Sequence, residues 1–575
     1  MTQSRKPLWI VRLAGSQAEM GRQHGELLAA AGGADAVLAH YRDLPGKLLL
    51  GDVPPRARPA AHFALRAISD GLLRRLAAAR PAELAGRTRA FIEGLDRSPG
   101  LARYLAVMDL FQNYVGLAAR WGLGPFAHPA GRLMAAAAQP ACSTVMAWGA
   151  ATEGGELLHA RNFDFPGIGV WDAAPAVVLC TPDRGQRYGF VTTRGGDTPV
   201  VTVWNEAGLV ITSHTRFHRE VGFGGATIID LVHDLGRRAE TLADAERIAR
   251  ERPVASTWGL AVSSARERRG ITLEIHASRV AVVAPGPGAD HLICCNRYRD
   301  RAMQDGEVTM TPAWALHSDR RERRLASLVA AARTAGGARP LDLGAMLADR
   351  EDDDAPGVSR QLGAIVAQPC QVQSIVVAPD ANALWLGVGA APVGEGRWLK
   401  VGWDWSGRPG AWELGAPPPA GLGVTVDDGG ALPRAPASDA VATALAIEQS
   451  THDHAATAAA LDRAIAAAPT DPSLRLAQLW AEMRRGEWAR AADQAAAGLD
   501  HERLPYRRGQ LLLWGSRAAV AAGQDARARI WRAELATLRG AGVAYLQAQG
   551  MRDETRPARQ FLRRPSLNLF MLDAG

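Results

Sequence analysis

Four zones of the chain differ in the spacing of their hydrophobic residues. The first opens with a short apolar run, Trp9 to Leu13, and continues with helical patterns such as AAHFALRAISDGLLRRLAAA. From residue 142 to 414, short runs rich in β-branched and aromatic residues alternate with Gly, Asp and Pro turns, a pattern typical of antiparallel sheets. Helical patterns near 226–250 and 318–350 interrupt these runs. We therefore expect an α+β fold in which helices cover the sheets.

The remaining two zones predict a linker and a helical module. Residues 415–439, GAPPPAGLGVTVDDGGALPRAPASD, are rich in Pro and Gly and have little periodicity, which indicates a linker. Residues 440–575 are Ala-rich and helical in pattern. Small residues recur there 34 positions apart, at Ala464 and Gly498, which resembles tetratricopeptide (TPR) repeats. A generic Ala-rich bundle fits nearly as well, and either reading makes this zone a docking or packing module.

Composition and charge argue against several classes of protein. The 66 basic and 59 acidic residues leave a net charge of only +7, and no dense basic run contains interleaved aromatics, so we expect no nucleic-acid partner. No stretch reaches 18 continuous apolar residues and the N-terminus has no signal-peptide pattern, so neither a membrane span nor export is expected. Five cysteines are a sparse, odd set, which indicates a reducing compartment and predicts a cytoplasmic protein.

No motif indicates a metal or a cofactor. Cys294 and Cys295 are adjacent, so on a strand their side chains point to opposite faces. No CxxC or HExxH spacing supports zinc, and the acidic run at 351–354 lacks the alternating ligands of a calcium loop. We expect chemistry carried by protein side chains alone.

The candidate chemistry lies in a predicted hairpin. Residues 142–145 predict one strand, a Gly-Gly turn follows, and residues 159–164 predict the strand that returns, which brings Asp164 beside Cys142. An N-terminal nucleophile needs this geometry: the thiol attacks, the α-amine of the same residue takes the proton, and a carboxylate orients the amine. A terminal α-amine has a pKa of about 7.7–8.0, which suits a general base at neutral pH.

Further segments, in a fixed order, support a family resemblance. They are Gly21-x-x-x-Gly25, Cys142-Ser143-Thr144, Arg161-Asn162-x-Asp164, Asn205-Glu206-x-Gly208, Cys295-Asn296, Ser318-x-x-Arg321 and the late segment 356–360. Together they resemble the choloylglycine hydrolase superfamily of N-terminal-nucleophile (Ntn) hydrolases, and within it the isopenicillin-N acyltransferase-like branch. The resemblance covers roughly residues 8–405 and implies a four-layer αββα sandwich of antiparallel sheets.

The resemblance also implies residue roles. Cys142 is the expected nucleophile, Arg161 favours its thiolate, Asp164 orients the amine and Asn296 donates to the oxyanion. The supporting or substrate-binding residues are expected to be Asn162, Ser359 and Arg360. Before maturation the Cys142 thiol can attack the Ala141 carbonyl, and an N-to-S acyl shift followed by hydrolysis would separate a propeptide or small subunit, residues 1–141, from the core at 142–414.

The sequence thus predicts an autoproteolytic Cys-dependent amide hydrolase or acyltransferase working through a thioester. Its partners would be a small-molecule acyl donor, with an amine or water as acceptor, and a protein bound by the helical module. The sequence does not decide whether the acyl group is a lipid chain, an aminoacyl group or a small natural-product chain. Two alternatives are a non-catalytic TPR-bearing interaction protein with a retained Ntn scaffold, and an esterase of the phospholipase B-like type.

Overall fold

The computed structural model describes residues 5–50, 53, 56–122, 141–309, 311–555, 567–568 and 572–574. Most of the predicted N-terminal segment is therefore described, whereas its last part, 123–140, lies outside the described residues. Among the described helices, none is both long enough and apolar enough to cross a membrane.

The strands form two large sheets and one short pair. The strands of the first sheet are, in spatial order, β10 (Arg279–Val283), β9 (Arg269–His276), β8 (Trp258–Ser264), β7 (Leu209–Thr215), β6 (Thr202–Asn205), β5 (Tyr188–Thr193), β4 (Pro175–Pro182), β1 (Trp9–Gly15) and β15 (Gly410–Glu413). Those of the second sheet are β11 (His291–Cys294), β2 (Ala141–Gly149), β3 (Gly155–Asp164), β12 (Gln371–Ala378), β13 (Ala383–Gly387), β14 (Gly396–Trp403) and β16 (Val424–Leu432). The short pair is β17 (Leu567–Asn568) with β18 (Asp573–Ala574). Strand β1 runs parallel to β4, and the other described neighbours are antiparallel, so the α+β prediction is confirmed.

The helices occupy three parts of the chain. Before residue 123 they are α1 (Gln17–Ala31), α2 (Ala34–Leu49), α3 (Arg58–Ala78), α4 (Ala82–Gly94) and α5 (Val107–Arg120). Between the strands they are α6 (Ile228–Arg238), α7 (Leu242–Glu251), α8 (Arg301–Gln304), α9 (Pro312–Thr334) and α10 (Pro340–Leu347). The helical module contains α11 (Ser438–Ser450), α12 (His454–Ala467), α13 (Pro472–Arg485), α14 (Trp488–His501), α15 (Pro505–Ala521), α16 (Asp525–Thr537) and α17 (Val543–Glu554).

Alternation along the strands sends buried side chains to both faces of each sheet. Apolar residues such as Ile10 of β1 and Ile375 of β12 pack between the two sheets. On the other face of the first sheet, Val11 packs in a cluster with residues of α1 and α6. On the other face of the second sheet, Val145 packs with Leu325 of α9.

The Gly-spaced helix predicted near the N-terminus packs very closely on a neighbour. A β-carbon at Gly21 would lie 2.3 Å from the carbonyl oxygen of Arg87, and one at Gly25 would lie 2.2 Å from that of Phe91. These distances leave no room for a side chain, so the two glycines let α1 contact the backbone of α4. This helix pair covers one face of the first sheet.

The predicted linker differs from the structure. Part of 415–439 forms β16, which pairs with β14 at the edge of the second sheet. Its residues are mostly exposed or half-buried, and Gly429 and Gly430 interrupt the alternation that marks a strand in sequence. Backbone pairing with β14 therefore orders a segment whose composition is typical of a loop.

Candidate active site

The predicted hairpin is confirmed by the pairing of β2 with β3. In its register Cys142 lies opposite Phe163, and Ala141 lies opposite Asp164. Cys142 is therefore the second residue of a strand whose first residue, Ala141, is fully buried. The thiol side of Cys142 faces the interior between the two sheets, as does Arg161, because both positions lie on the same face of the hairpin.

Arg161 provides a positive charge at the Cys142 sulfur. Its Nη2 lies 3.4 Å from Cys142 Sγ and 2.7 Å from the carbonyl oxygen of Ser213, while Nη1 donates to the carbonyl of Val201 at 2.7 Å. These carbonyls, from Ser213 in β7 and from Val201 just before β6, fix the guanidinium in place. Burial raises the pKa of the Cys142 thiol, and the Arg161 charge acts in the opposite direction.

Asn296 and Arg321 bind the backbone of Cys142. The amide N–H of Cys142 donates to Asn296 Oδ1 at 2.9 Å, and the Nδ2 of Asn296 donates to the carbonyl of Thr215 at 3.0 Å. Arg321 donates from Nη1 to the carbonyl of Cys142 and from Nη2 to Asn296 Oδ1, each at 2.9 Å. Nitrogen, carbonyl oxygen and sulfur of Cys142 are thus each hydrogen-bonded to a buried side chain.

Arg321 was not assigned a role from the sequence, although the spacing Ser318-x-x-Arg321 was noted there. The two residues lie on one face of α9, where Ser318 Oγ accepts from the backbone N–H of Asn296 at 3.0 Å. The i, i+3 spacing could have indicated a shared face. The spacing does not predict that Arg321 contacts Cys142, which lies 179 residues earlier in the chain.

Asp164 is buried without a hydrogen-bond partner. Both carboxylate oxygens are inaccessible and accept no hydrogen bond from any described residue. Burial raises the pKa of Asp164 well above its ordinary value, against the opposing charges of Arg321 and Arg161. Burying a carboxyl group without a hydrogen-bond partner costs free energy. A hydrogen-bond donor or a cation placed beside Asp164 would therefore be stabilising.

The predicted supporting residues have different surroundings. Asn162 points away from Cys142 and links the second sheet to neighbouring segments: its Nδ2 donates to the carbonyl of Leu347 at 2.8 Å, and its Oδ1 accepts from Ser374 at 2.8 Å. Ser359 is exposed. Arg360 is buried, and its guanidinium binds the carboxylate of Glu502 in the helical module at 2.7 and 2.8 Å. The structure therefore does not bring Arg360 into the group of side chains that binds Cys142.

A buried polar cluster that the sequence did not reveal lies next to Arg161. Oγ1 of Thr144 is 2.9 Å from Nε2 of His214, and Oγ1 of Thr212 is 3.1 Å from Nε2 of His159. Burial, with Arg161 nearby, lowers the pKa of His159 to about 3 and that of His214 well below its ordinary value, so both rings are neutral. The available signal was an i, i+2 spacing: along β2 and β3 it places Thr144 and His159 on the face shared by Cys142 and Arg161, and along β7 it places Thr212 and His214 on one face of the first sheet.

A cavity of about 60 Å³ is bordered by the end of β3. Asp164 and Thr215 line it on the side of the second and first sheets, and the remaining lining is mostly apolar. Much of this apolar wall comes from α2 and α5, that is, from residues before Ala141; it includes Leu44, Leu49, Met108, Phe111 and Val115. Gln112 of α5 is a polar residue of the wall; it is buried, and its Oε1 accepts no hydrogen bond from a described residue.

No group of three or more potential metal ligands occurs within the part of the chain that the structure describes. The site thus consists of one thiol, one carboxyl group, two guanidinium groups and one amide around the peptide unit of Cys142.

The chain has a distant likeness to proteins of known structure. No protein-family model and no curated protein matches the sequence. Among solved structures, the chain is similar to the Caenorhabditis elegans N-acylethanolamine-hydrolyzing acid amidase (NAAA) ortholog, with 15% sequence identity and a TM-score of 0.29. The match covers 41% of this chain and 93% of that one. At this identity and TM-score, no substrate and no residue role is transferred to this chain.

Proposed function

We propose that this protein is a Cys-dependent amide hydrolase or acyltransferase of the N-terminal-nucleophile type, activated by cleavage of its own Ala141–Cys142 bond. The observation that carries the proposal is the set of contacts on Cys142. Its sulfur contacts Arg161, its N–H donates to Asn296 and its carbonyl accepts from Arg321. A purely structural cysteine in a strand needs none of these buried charged partners.

The position of Cys142 directly after a buried Ala141 supports self-cleavage. The thiol loses its proton and adds to the Ala141 carbonyl, the C–N bond breaks as the Cys142 nitrogen takes up a proton and leaves as an amine, and the acyl group stays on sulfur as a thioester. Asn296 Oδ1 already orients the nitrogen that becomes the leaving amine. Water then hydrolyses the thioester, leaving a carboxylate on Ala141 and a free α-amine and thiol on Cys142. Arg321 holds the Cys142 carbonyl fixed during both steps.

Turnover would use the same atoms in new roles. The freed α-amine takes the thiol proton as the sulfur attacks a substrate amide, and later returns a proton to the leaving amine. The unpartnered carboxyl of Asp164 supplies an acceptor for that amine, and a neighbouring ammonium favours its charged form. Asn296 Nδ2 donates to the developing oxyanion; its present acceptor, the Thr215 carbonyl, belongs to a residue that lines the cavity.

The cavity indicates the class of acyl group. A volume of about 60 Å³ is well above the minimum of about 10–15 Å³ that holds one water molecule, so the cavity has room for part of an acyl chain. Its apolar walls favour an apolar acyl chain, and the amide of Gln112 offers one hydrogen-bonding point within it. The acceptor, an amine or water, decides between transfer and hydrolysis of the thioester.

Because α2 and α5 supply much of the wall, the cut N-terminal segment must stay bound for the site to remain complete. Two features support retention. Strand β1 lies between β4 and β15 within the first sheet, and Arg87 of α4 forms a buried ion pair with Asp197 at 2.7 Å. We therefore propose two chains that remain one particle after cleavage.

The proposal includes the finer architecture as well. A four-layer αββα order is supported by apolar clusters between the sheets and on their outer faces against α1 and α6 and against α9 and α10. TPR-like stacking of the helical module is supported by tight turns at Gly486 and Gly523, both with positive φ, and by the close approach of Gly498 to Leu511.

Intact-mass analysis of the purified protein tests self-cleavage. Wild type should give two chains divided between Ala141 and Cys142, while Cys142→Ala should give one unbroken chain without acyl turnover. Cys180→Ala is the matched control, because Cys180 is an equally buried thiol in β4 and should leave cleavage intact. Wild type that remains one chain after purification and prolonged incubation contradicts the proposal. If Cys142 then also resists a thiol-directed probe, the non-catalytic interaction protein becomes the better hypothesis.

A further inference from the structure

The loop at 348–370 connects the active-site strand to the helical module. Where it leads into β12, it lies directly on β3: the N–H of Phe165 donates to the carbonyl of Cys370 at 3.1 Å, and Gln371 pairs with Asp164. Asn162 adds a hydrogen bond from Nδ2 to the carbonyl of Val366. This loop, hereafter the 348–370 loop, therefore sets the surroundings of the strand that carries Arg161 and Asp164.

The opposite side of the same loop is held by the helical module. Arg360 and Glu502 form a bidentate pair at 2.7 and 2.8 Å, with 3% and 1% of their side chains exposed. Glu502 is the C-cap residue that directly follows α14, so the end of this helix anchors the pair. Bidentate guanidinium–carboxylate contacts fix orientation as well as distance.

Backbone donors of the 348–370 loop depend on the module too. The buried N–H of Gln361 donates to Asp471 Oδ2 at 2.6 Å, and that of Leu362 donates to Ser473 Oγ at 3.2 Å. Both acceptors lie at the N-terminus of α13. Buried backbone N–H groups need acceptors, so without the module these two would be unpaired and the loop would lose this conformation.

A second link reaches the helix that carries Arg321. Trp314, in the first turn of that helix, belongs to the same apolar cluster as Tyr506 of α15 in the helical module. Around Ala141, one apolar cluster contains both Phe217 of the core and Tyr506 of the module. The module thus contacts the surroundings of Cys142 from two sides.

From these contacts we infer that the helical module is a built-in scaffold of the active site: through Glu502 and Asp471 it holds the 348–370 loop against β3 and so positions the strand of Arg161 and Asp164. Arg360 and Glu502 are positioning residues and do not touch the reacting atoms. The inference gives the module a task besides docking, and its catalytic consequence rests on the function proposed above.

The test compares two substitutions in the same module. Glu502→Gln removes the bidentate carboxylate partner of Arg360 and leaves the more distant Asp352, at 3.7 Å. Asp553→Asn removes the carboxylate partner of Arg517, in another buried pair at 2.7 Å that links α15 and α17 without contacting the 348–370 loop. Hydrogen exchange is measured in the unbroken Cys142→Ala chain on peptides spanning 160–170 and 360–372. Glu502→Gln should accelerate exchange in both peptides at least tenfold, and Asp553→Asn less than twofold.

The rate of self-cleavage, kcat and KM are measured in variants that keep Cys142. Glu502→Gln should slow self-cleavage and lower kcat at least tenfold with little change in KM, Glu502→Asp should recover part of the rate, and Asp553→Asn should stay within twofold of wild type. Unchanged exchange in 160–170, or equal acceleration by both substitutions, overturns the scaffold. Wild type without cleavage or turnover refutes the proposed function, while the exchange measurement still decides the scaffold.

Discussion

The buried ion pair between Arg87 and Asp197 allows a sharp prediction about how the N-terminal segment is held. Arg87 of α4 binds both carboxylate oxygens of Asp197, at 2.8 and 2.7 Å, and also the hydroxyl of Tyr188 at 3.0 Å. His24 of α1 contacts the same carboxylate at 2.9 Å. Arg87→Met removes the guanidinium and leaves a buried carboxylate with one imidazole partner.

The expected cost follows from the burial of the pair. Removing one member of a buried ion pair destabilises a protein by about 3–5 kcal/mol, because the other charge stays buried. Since each 1.4 kcal/mol is a factor of ten, exchange of α1 and α4 amides through local opening should accelerate roughly 10²- to 10⁴-fold. Replacing both residues, in Arg87→Met with Asp197→Leu, should cost less than the sum of the single changes.

Native-state hydrogen exchange on peptides covering 17–31 and 82–94 measures this effect without assuming two-state unfolding of the whole chain. The Cys142→Ala background is chosen so that the proposed self-cleavage cannot divide the variants. An acceleration below tenfold for Arg87→Met, or additive effects in the double variant, would show that the pair does not hold the N-terminal segment.

The same pair sets a pH dependence. Burial acts to raise the pKa of Asp197, but Arg87 and His24 outweigh it and hold that pKa well below its ordinary value. The carboxylate therefore stabilises the folded protein above the unfolded pKa of about 3.9, and this stabilisation is lost as pH falls below it. Exchange of the same peptides should accelerate below about pH 4 in the parent chain, and less so in the double variant.

Three further predictions concern packing, specificity and pH. Gly25→Ala forces its methyl group against the carbonyl of Phe91 and should lower the melting temperature of the unbroken chain, whereas Gly86→Ala, with open space around it, should not. Gln112→Leu should lower kcat/KM for acyl groups that carry a hydroxyl or amide more than for plain alkyl chains, and an equal loss for both would refute the role of its amide. Burial raises the pKa of Asp109 to about 6, so its contribution to stability is present below about pH 4 and is lost as pH rises through 6; Asp109→Asn should flatten thermal stability over that interval.

Patterns local in sequence were sufficient for much of the fold and for the centre of the site. Alternation of side chains predicted the β2–β3 hairpin and hence the closeness of Cys142 and Arg161, whose contact at 3.4 Å depends on one turn and one register. Helical periodicity likewise predicted the helices before residue 123 and after 438. In these cases the interacting residues are close in the chain, so spacing alone places them on one face.

Contacts between distant segments were decided only by tertiary structure. Arg321 reaches Cys142 across 179 positions, and Arg360, expected at the substrate, binds Glu502 across 142. An arginine can satisfy a carboxylate, a carbonyl or a ligand equally well, so its sequence motif does not say which one it meets. The pairing of β16 with β14 and the cavity wall from α2 and α5 could not be predicted for a similar reason, since each depends on contacts between segments that are distant in sequence. Side-chain type and spacing constrain what an element can bind, whereas the identity of its partner depends on which surfaces the folded chain brings together.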